Sequence, residues 1–218
     1  MVQALEGAGA MSDFEGLFAL FGLMFGLIIA ELSLKMADAI DSHRERPLGI
    51  LTPALALLVL TDVTSFWLFI WAARNALHVN WHTVFAGVLV AMVYFLSASL
   101  VFPRTKRDWA HLDDHYWSRK KVVVGGVLFG NAVLDSFMLS RAIPEWNDWM
   151  FYFYFPLYGA GLIGLLFSRS RRLDLMCLAI TIGINLASGS DLIPGSRWGQ
   201  KVGLTFGARI DQPLSPYM

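Results

Sequence analysis

Residues 55–75, LALLVLTDVTSFWLFIWAARN, read as a membrane-crossing helix with one interruption: Asp62 stands in its middle, flanked on both sides by mostly apolar residues. An aspartate at the centre of a span costs about 2.5–3.5 kcal/mol to insert. The twelve Leu, Ile, Val and Phe residues of the 50–73 run each return roughly 0.3–0.6 kcal/mol, about 4–7 kcal/mol together. The helix therefore inserts in spite of its carboxylate. Inside a folded bundle that carboxylate must find partners or be protonated.

The remainder of the chain supports a membrane reading. Of 218 residues, 56% are hydrophobic and 16% charged, against about a quarter charged in a soluble domain; the mean hydropathy is +0.54. The apolar runs approach or exceed the roughly 20 residues needed to cross a bilayer. They predict an all-α integral membrane bundle of about six transmembrane helices, at residues 14–39, 50–73, 82–102, 122–140, 149–167 and 173–190. Short connections make consecutive helices antiparallel neighbours. Nothing basic precedes the first run, and it exceeds the h-region of a signal peptide, so it is expected to stay as a span. The sixth run is diluted at its outer end by LASGSDLIPG, residues 186–195.

Twelve of the seventeen basic residues gather on one side: Lys35, Arg44, Arg46, Arg104, Lys106, Arg107, Arg119, Lys120, Lys121, Arg169, Arg171 and Arg172. Positive-inside counting then predicts an N-out, C-out orientation. The tail, 191–218, is too polar to span, yet Val202, Leu204, Phe206 and Ile210 make it more apolar than a typical disordered segment. It is read as a disordered or extended extracytoplasmic arm. Small residues four apart (Gly22, Gly26 and Ala30; Gly126 and Gly130; Ala160 and Gly164) suit close helix packing within the bundle, or a docking face for another protein. The aromatic stretch WNDWMFYFYFPLY, residues 146–158, begins at an interfacial belt. Its deeper part packs in the core or lines a groove for a lipid, quinone or pigment tail.

Partners for Asp62 are available on other spans. Asn131 and Asp135 lie one turn apart on the fourth, and Asn185 lies on the sixth. With Glu31 on the first span they would form a polar seam running through the bundle. Glu31 also has Lys35 one turn later, in the favourable order for an ion pair, and Asp135 lies about a turn and a half from Arg141. Either proximity would give those carboxylates a structural role.

None of the five histidines, His43, His78, His82, His111 and His115, falls deep in a run. That argues against a haem held by two axial histidines at depth. The HLDDH segment, 111–115, would offer His111, Asp114 and His115 to a divalent metal, although it reads equally as an amphipathic surface, and no resident metal or other cofactor is expected. The single cysteine, Cys177, cannot form an internal disulfide. No phosphate loop, nucleophile elbow or zinc-protease signature appears, and no nucleic-acid partner is expected.

Three stretches, LIIAELSLKMADAI (27–40), SFWLFIWAARN (65–75) and LVFPRTKRDWAHLDDHYW (100–117), resemble a group of small multi-pass bacterial membrane proteins described only as uncharacterised. The resemblance covers roughly the first 120 residues and singles out Glu31, Trp67, Trp71, Pro103, His115 and Tyr116. Asp62 lies outside it. It implies a multi-pass topology and a bacterial inner membrane, with no activity attached. Two functions are compatible with these features. One is a non-enzymatic accessory or scaffold subunit, contacting membrane lipids and other membrane-protein subunits or copies of itself. The other is a small proton- or cation-coupled channel or transporter that uses Asp62 and Asp135.

Overall fold

A computed structural model describes residues 13–42, 49–74, 77–103, 112–141 and 143–190. The tail 191–218 and His111 lie outside the described residues. Six α-helices and no strands are present among them: α1 (Asp13–Asp41), α2 (Leu51–Ala72), α3 (Trp81–Val101), α4 (Leu112–Arg141), α5 (Trp149–Phe167) and α6 (Arg171–Gly189). Five are long and apolar enough to cross a membrane. The remaining one, α5, is apolar over its 19 residues, Trp149–Phe167. The sixth run, which looked diluted in sequence, does qualify as a full span.

α2 is the central helix. It packs against α1, α3, α4 and α6, and 56% of its span is buried, against 28–39% in the other four spans. The main core, with Phe21, Phe25 and Ile28 of α1, Leu55, Leu58 and Val59 of α2, Tyr94 of α3, Val124 and Val127 of α4, Leu162 and Leu165 of α5 and Leu178 of α6, runs through all six helices, and a smaller cluster of Phe69, Ala72, Ala73 and Met138 joins the end of α2 to α4.

Small residues set the closest helix approaches. A side chain at Gly126 would run into Ser97, and one at Gly130 into the Tyr94 ring, so α3 and α4 touch because both positions are glycine. Gly161 and Gly164 of α5 make room in the same way for Thr181 and Cys177 of α6. The row on α1 is different: among the described residues nothing lies within 4 Å of where a Gly26 side chain would be, and Ala30 is exposed.

Local signals explain the helix starts. Asn80 accepts a hydrogen bond from the Thr83 backbone N–H at 3.0 Å, and Asp148 accepts one from Phe151 N–H at 3.3 Å, each satisfying an otherwise orphaned amide. Trp146 is 94% exposed and stacks on Tyr152, as a ring at headgroup level should. α4 begins about ten residues before the apolar run that marked it. Its first turn carries Asp113 and Asp114, which favour a helix N-terminus.

Candidate functional site

Two polar centres are buried in the bundle. The first is Asp62, at the midpoint of α2 and 3% exposed. Its two carboxylate oxygens accept four hydrogen bonds from three other helices. Tyr94 Oη of α3 donates to Oδ2 at 2.5 Å, and Tyr158 Oη of α5 donates to Oδ1. Asn131 Nδ2 of α4 sits between them, 3.2 Å from Oδ1 and 3.1 Å from Oδ2, and also donates to its own helix at Val127 O. On α6, Asn185 Nδ2 reaches Tyr158 Oη at 3.4 Å and Thr61 Oγ1 at 3.5 Å. Four of the six helices therefore meet at one carboxylate, and α6 joins them through Tyr158 and Thr61.

Every donor to Asp62 is neutral. No Lys, Arg or His among the described residues bonds to it. The Tyr158 and Asn131 side chains are half-buried, so the cage is closed around the carboxylate and thinner on its far side.

The second centre lies where α4 and α6 begin and α5 ends, the end of the bundle on which basic residues cluster. Lys120 Nζ, 2% exposed, pairs with Asp174 Oδ2, wholly buried, at 2.6 Å. It also donates to the Ser168 carbonyl at 2.7 Å and lies 4.4 Å from the centre of the Trp117 ring. Tyr116 Oη donates to the same Asp174 oxygen at 2.8 Å. Asp174 Oδ1 is buried with no hydrogen-bond partner among the described residues. Nearby, His115 Nε2 lies 2.9 Å from the Leu100 carbonyl and Thr52 Oγ1 donates to the Leu112 carbonyl at 3.0 Å. Gly49, at φ +65°, abuts the Asp113 carboxylate where no side chain would fit.

Of the seam expected from sequence, Asp62 and Asn131 are directly bonded, and Asn185 joins through Tyr158. Asp135 is half-buried one turn beyond Asn131 and makes no hydrogen bond to the cage among the described residues. Arg141 lies over the Phe137 ring. Glu31 is half-buried on α1 and takes no part in the cage, nor does an ion pair with Lys35 form within 4 Å among the described residues. Among the HLDDH candidates, Asp114 is exposed while His115 is buried against α3. No group of three or more metal-binding side chains occurs among the described residues.

Sequence reasoning missed Tyr94, Tyr158, Lys120 and Asp174. Lys120 belongs to the basic cluster that sets the expected orientation, yet it is an interior ion-pair partner. The tyrosines carried a usable signal, because a buried phenol normally has a hydrogen-bond partner. No protein-family model, curated protein or solved structure matches this chain.

Proposed function

We propose that this multi-pass membrane protein is a small proton-coupled channel or transporter whose proton-exchanging group is Asp62, set in a bacterial inner membrane with both termini outside. The observation that carries the reading is a mid-span carboxylate held by four hydrogen bonds from neutral groups, with no ion-pair partner among the described residues. Ionisable groups at such depth are costly and are usually functional. A lysine or arginine partner would fix the negative charge in place. Phenol hydroxyls both donate and accept, so Tyr94 and Tyr158 can re-form bonds around either the carboxylate or the carboxylic acid. A metal cation would meet hydrogens on every bonded side, which favours the proton over a larger ion. Asp135, one turn beyond Asn131, extends the polar surface toward the end of the bundle where α4 stops.

The test is proton flux in proteoliposomes. Asp62→Asn keeps the size of the side chain and most of the cage, so the variant is expected to fold and to lose flux by at least tenfold. Wild-type flux from the folded variant ends the proposal.

A second reading is an accessory subunit. It is favoured by the α1 row, where Gly26 meets nothing among the described residues and Ala30 is exposed, although such rows normally seat another helix. Gentle extraction from the native membrane, followed by sizing and mass spectrometry, tests it. A stoichiometric partner supports the subunit reading, and a lone chain removes it.

A further inference from the structure

The Lys120–Asp174 pair gathers more positive charge than it uses. Lys120 Nζ holds Asp174 at 2.6 Å and the Ser168 carbonyl at 2.7 Å, which draws the connection between α5 and α6 onto α4. Arg119 and Lys121 flank Lys120, Arg169 follows Ser168, and Arg171 and Arg172 lie three and two residues before Asp174. All five are exposed. The pair therefore brings five surface cations to one corner of the bundle. They sit where α4 turns from polar to apolar at Val122 and where α5 gives way to α6, the level of the lipid headgroups.

Little at this corner neutralises them. Asp174, the acid in the first turn of α6, is turned inward and taken by Lys120. Asp113 lies 3.9 Å from Arg171 and Asp114 is exposed, but among the described residues no ion pair forms to Arg119, Lys121, Arg169 or Arg172. The opposite end differs, since Arg74 and Arg141 there each lie over a nearby ring, Trp71 and Phe137. Apolar surface starts directly beside the cations. Leu173, Met176 and Ile180 are 45%, 60% and 38% exposed, and their spacing of three and four makes one row up α6 from Arg172. On α4, the exposed Trp117 shares a face with Lys121.

We propose that this corner binds an anionic phospholipid of the adjoining leaflet. Arg169 and Arg172 take the phosphate, Lys121 and Arg171 add charge beside it, and one acyl chain lies along Leu173, Met176 and Ile180. Guanidinium forks match phosphate oxygens two at a time, and basic clusters at the membrane surface select anionic headgroups. A soluble anion would use the charges and leave the apolar row idle. The site stands apart from the proton-coupled reading, because it needs only the corner that the Lys120–Asp174 pair assembles. A lipid seated there would brace the α5–α6 connection.

The experiment reconstitutes the full chain in bilayers of equal phosphatidylglycerol and phosphatidylcholine, extracts it gently, and quantifies the retained lipids by mass spectrometry. Wild type is expected to keep phosphatidylglycerol in about tenfold excess. Arg169→Gln/Arg172→Gln is expected to bring the two lipids near parity, whereas Arg74→Gln/Arg141→Gln, which removes the same charge from the opposite end, is expected to keep the excess. Should the first variant not fold, wild type washed in about 1 M salt, where charges are screened beyond roughly 3 Å, is expected to lose the excess as well. No excess in wild type, equal loss from both double variants, or an excess that survives both Arg169→Gln/Arg172→Gln and salt would overturn the site. Complete displacement of phosphatidylglycerol by inorganic phosphate at matched ionic strength would assign the corner to a free anion and overturn the lipid.

Discussion

Asp62 and Asp174 are both buried carboxylates in the same bundle, and their surroundings differ in kind. Asp174 has a full countercharge at 2.6 Å, itself held by a backbone carbonyl and two aromatic rings. Asp62 has only phenol and amide donors. An ion pair of the first kind is a rigid clasp: removing one partner strands the other in a medium that cannot solvate it. A cage of neutral donors is adaptable, because its members can turn. The clasp ties α4 to the start of α6, and the cage leaves the chemistry of its carboxylate open. Burial of an acid is therefore a poor guide to its role until the partners are known.

The largest effect is expected from breaking the clasp. Lys120→Met leaves Asp174 uncompensated and should cost about 3–5 kcal/mol of stability, read as denaturation in detergent. Adding Asp174→Asn should recover most of it. A double variant no more stable than the single one would show that the pair is not the unit described here.

Next comes Gly130→Ala, whose methyl would meet the Tyr94 ring and hydroxyl. Overpacking of this kind costs about 1–3 kcal/mol, and moving Tyr94 pulls one donor off Asp62. Smaller still are Tyr94→Phe and Tyr158→Phe. Each deletes one interhelical hydrogen bond, worth roughly 0.6 kcal/mol on average and up to about 1.7. A loss as large as that of Lys120→Met would mean that the cage is as rigid as the clasp, and the contrast between the two centres would fail.

Much of the fold was legible before any coordinates. Hydropathy located every helix, since a span must be apolar along its length whatever it packs against. α4 extends ahead of the apolar 122–140 run because Leu112–Lys121 is polar, and there the helix is signalled by the acidic first turn. The site was legible only in part. Asp62 announced itself by its cost, and Asn131 and Asn185 by being polar in apolar runs. Tyr158 was hidden among the aromatics of 146–158, where nothing distinguishes a ring bonded to an acid from a ring facing lipid. Lys120 looked like its neighbours Arg119 and Lys121, which are exposed. Its partner lies 54 residues away, and only tertiary packing brings them together.

The most direct test of the central claim watches the proton itself. Infrared difference spectroscopy of the purified protein in lipid, after a pH jump, reports carboxylic acids through their C=O stretch. The account predicts a carboxyl band in the wild-type difference spectrum that is absent from Asp62→Asn and retained in Tyr94→Phe with a shifted position. Identical spectra from wild type and Asp62→Asn would contradict it, and Asp62 would then be a fixed hydrogen-bonded node of the bundle.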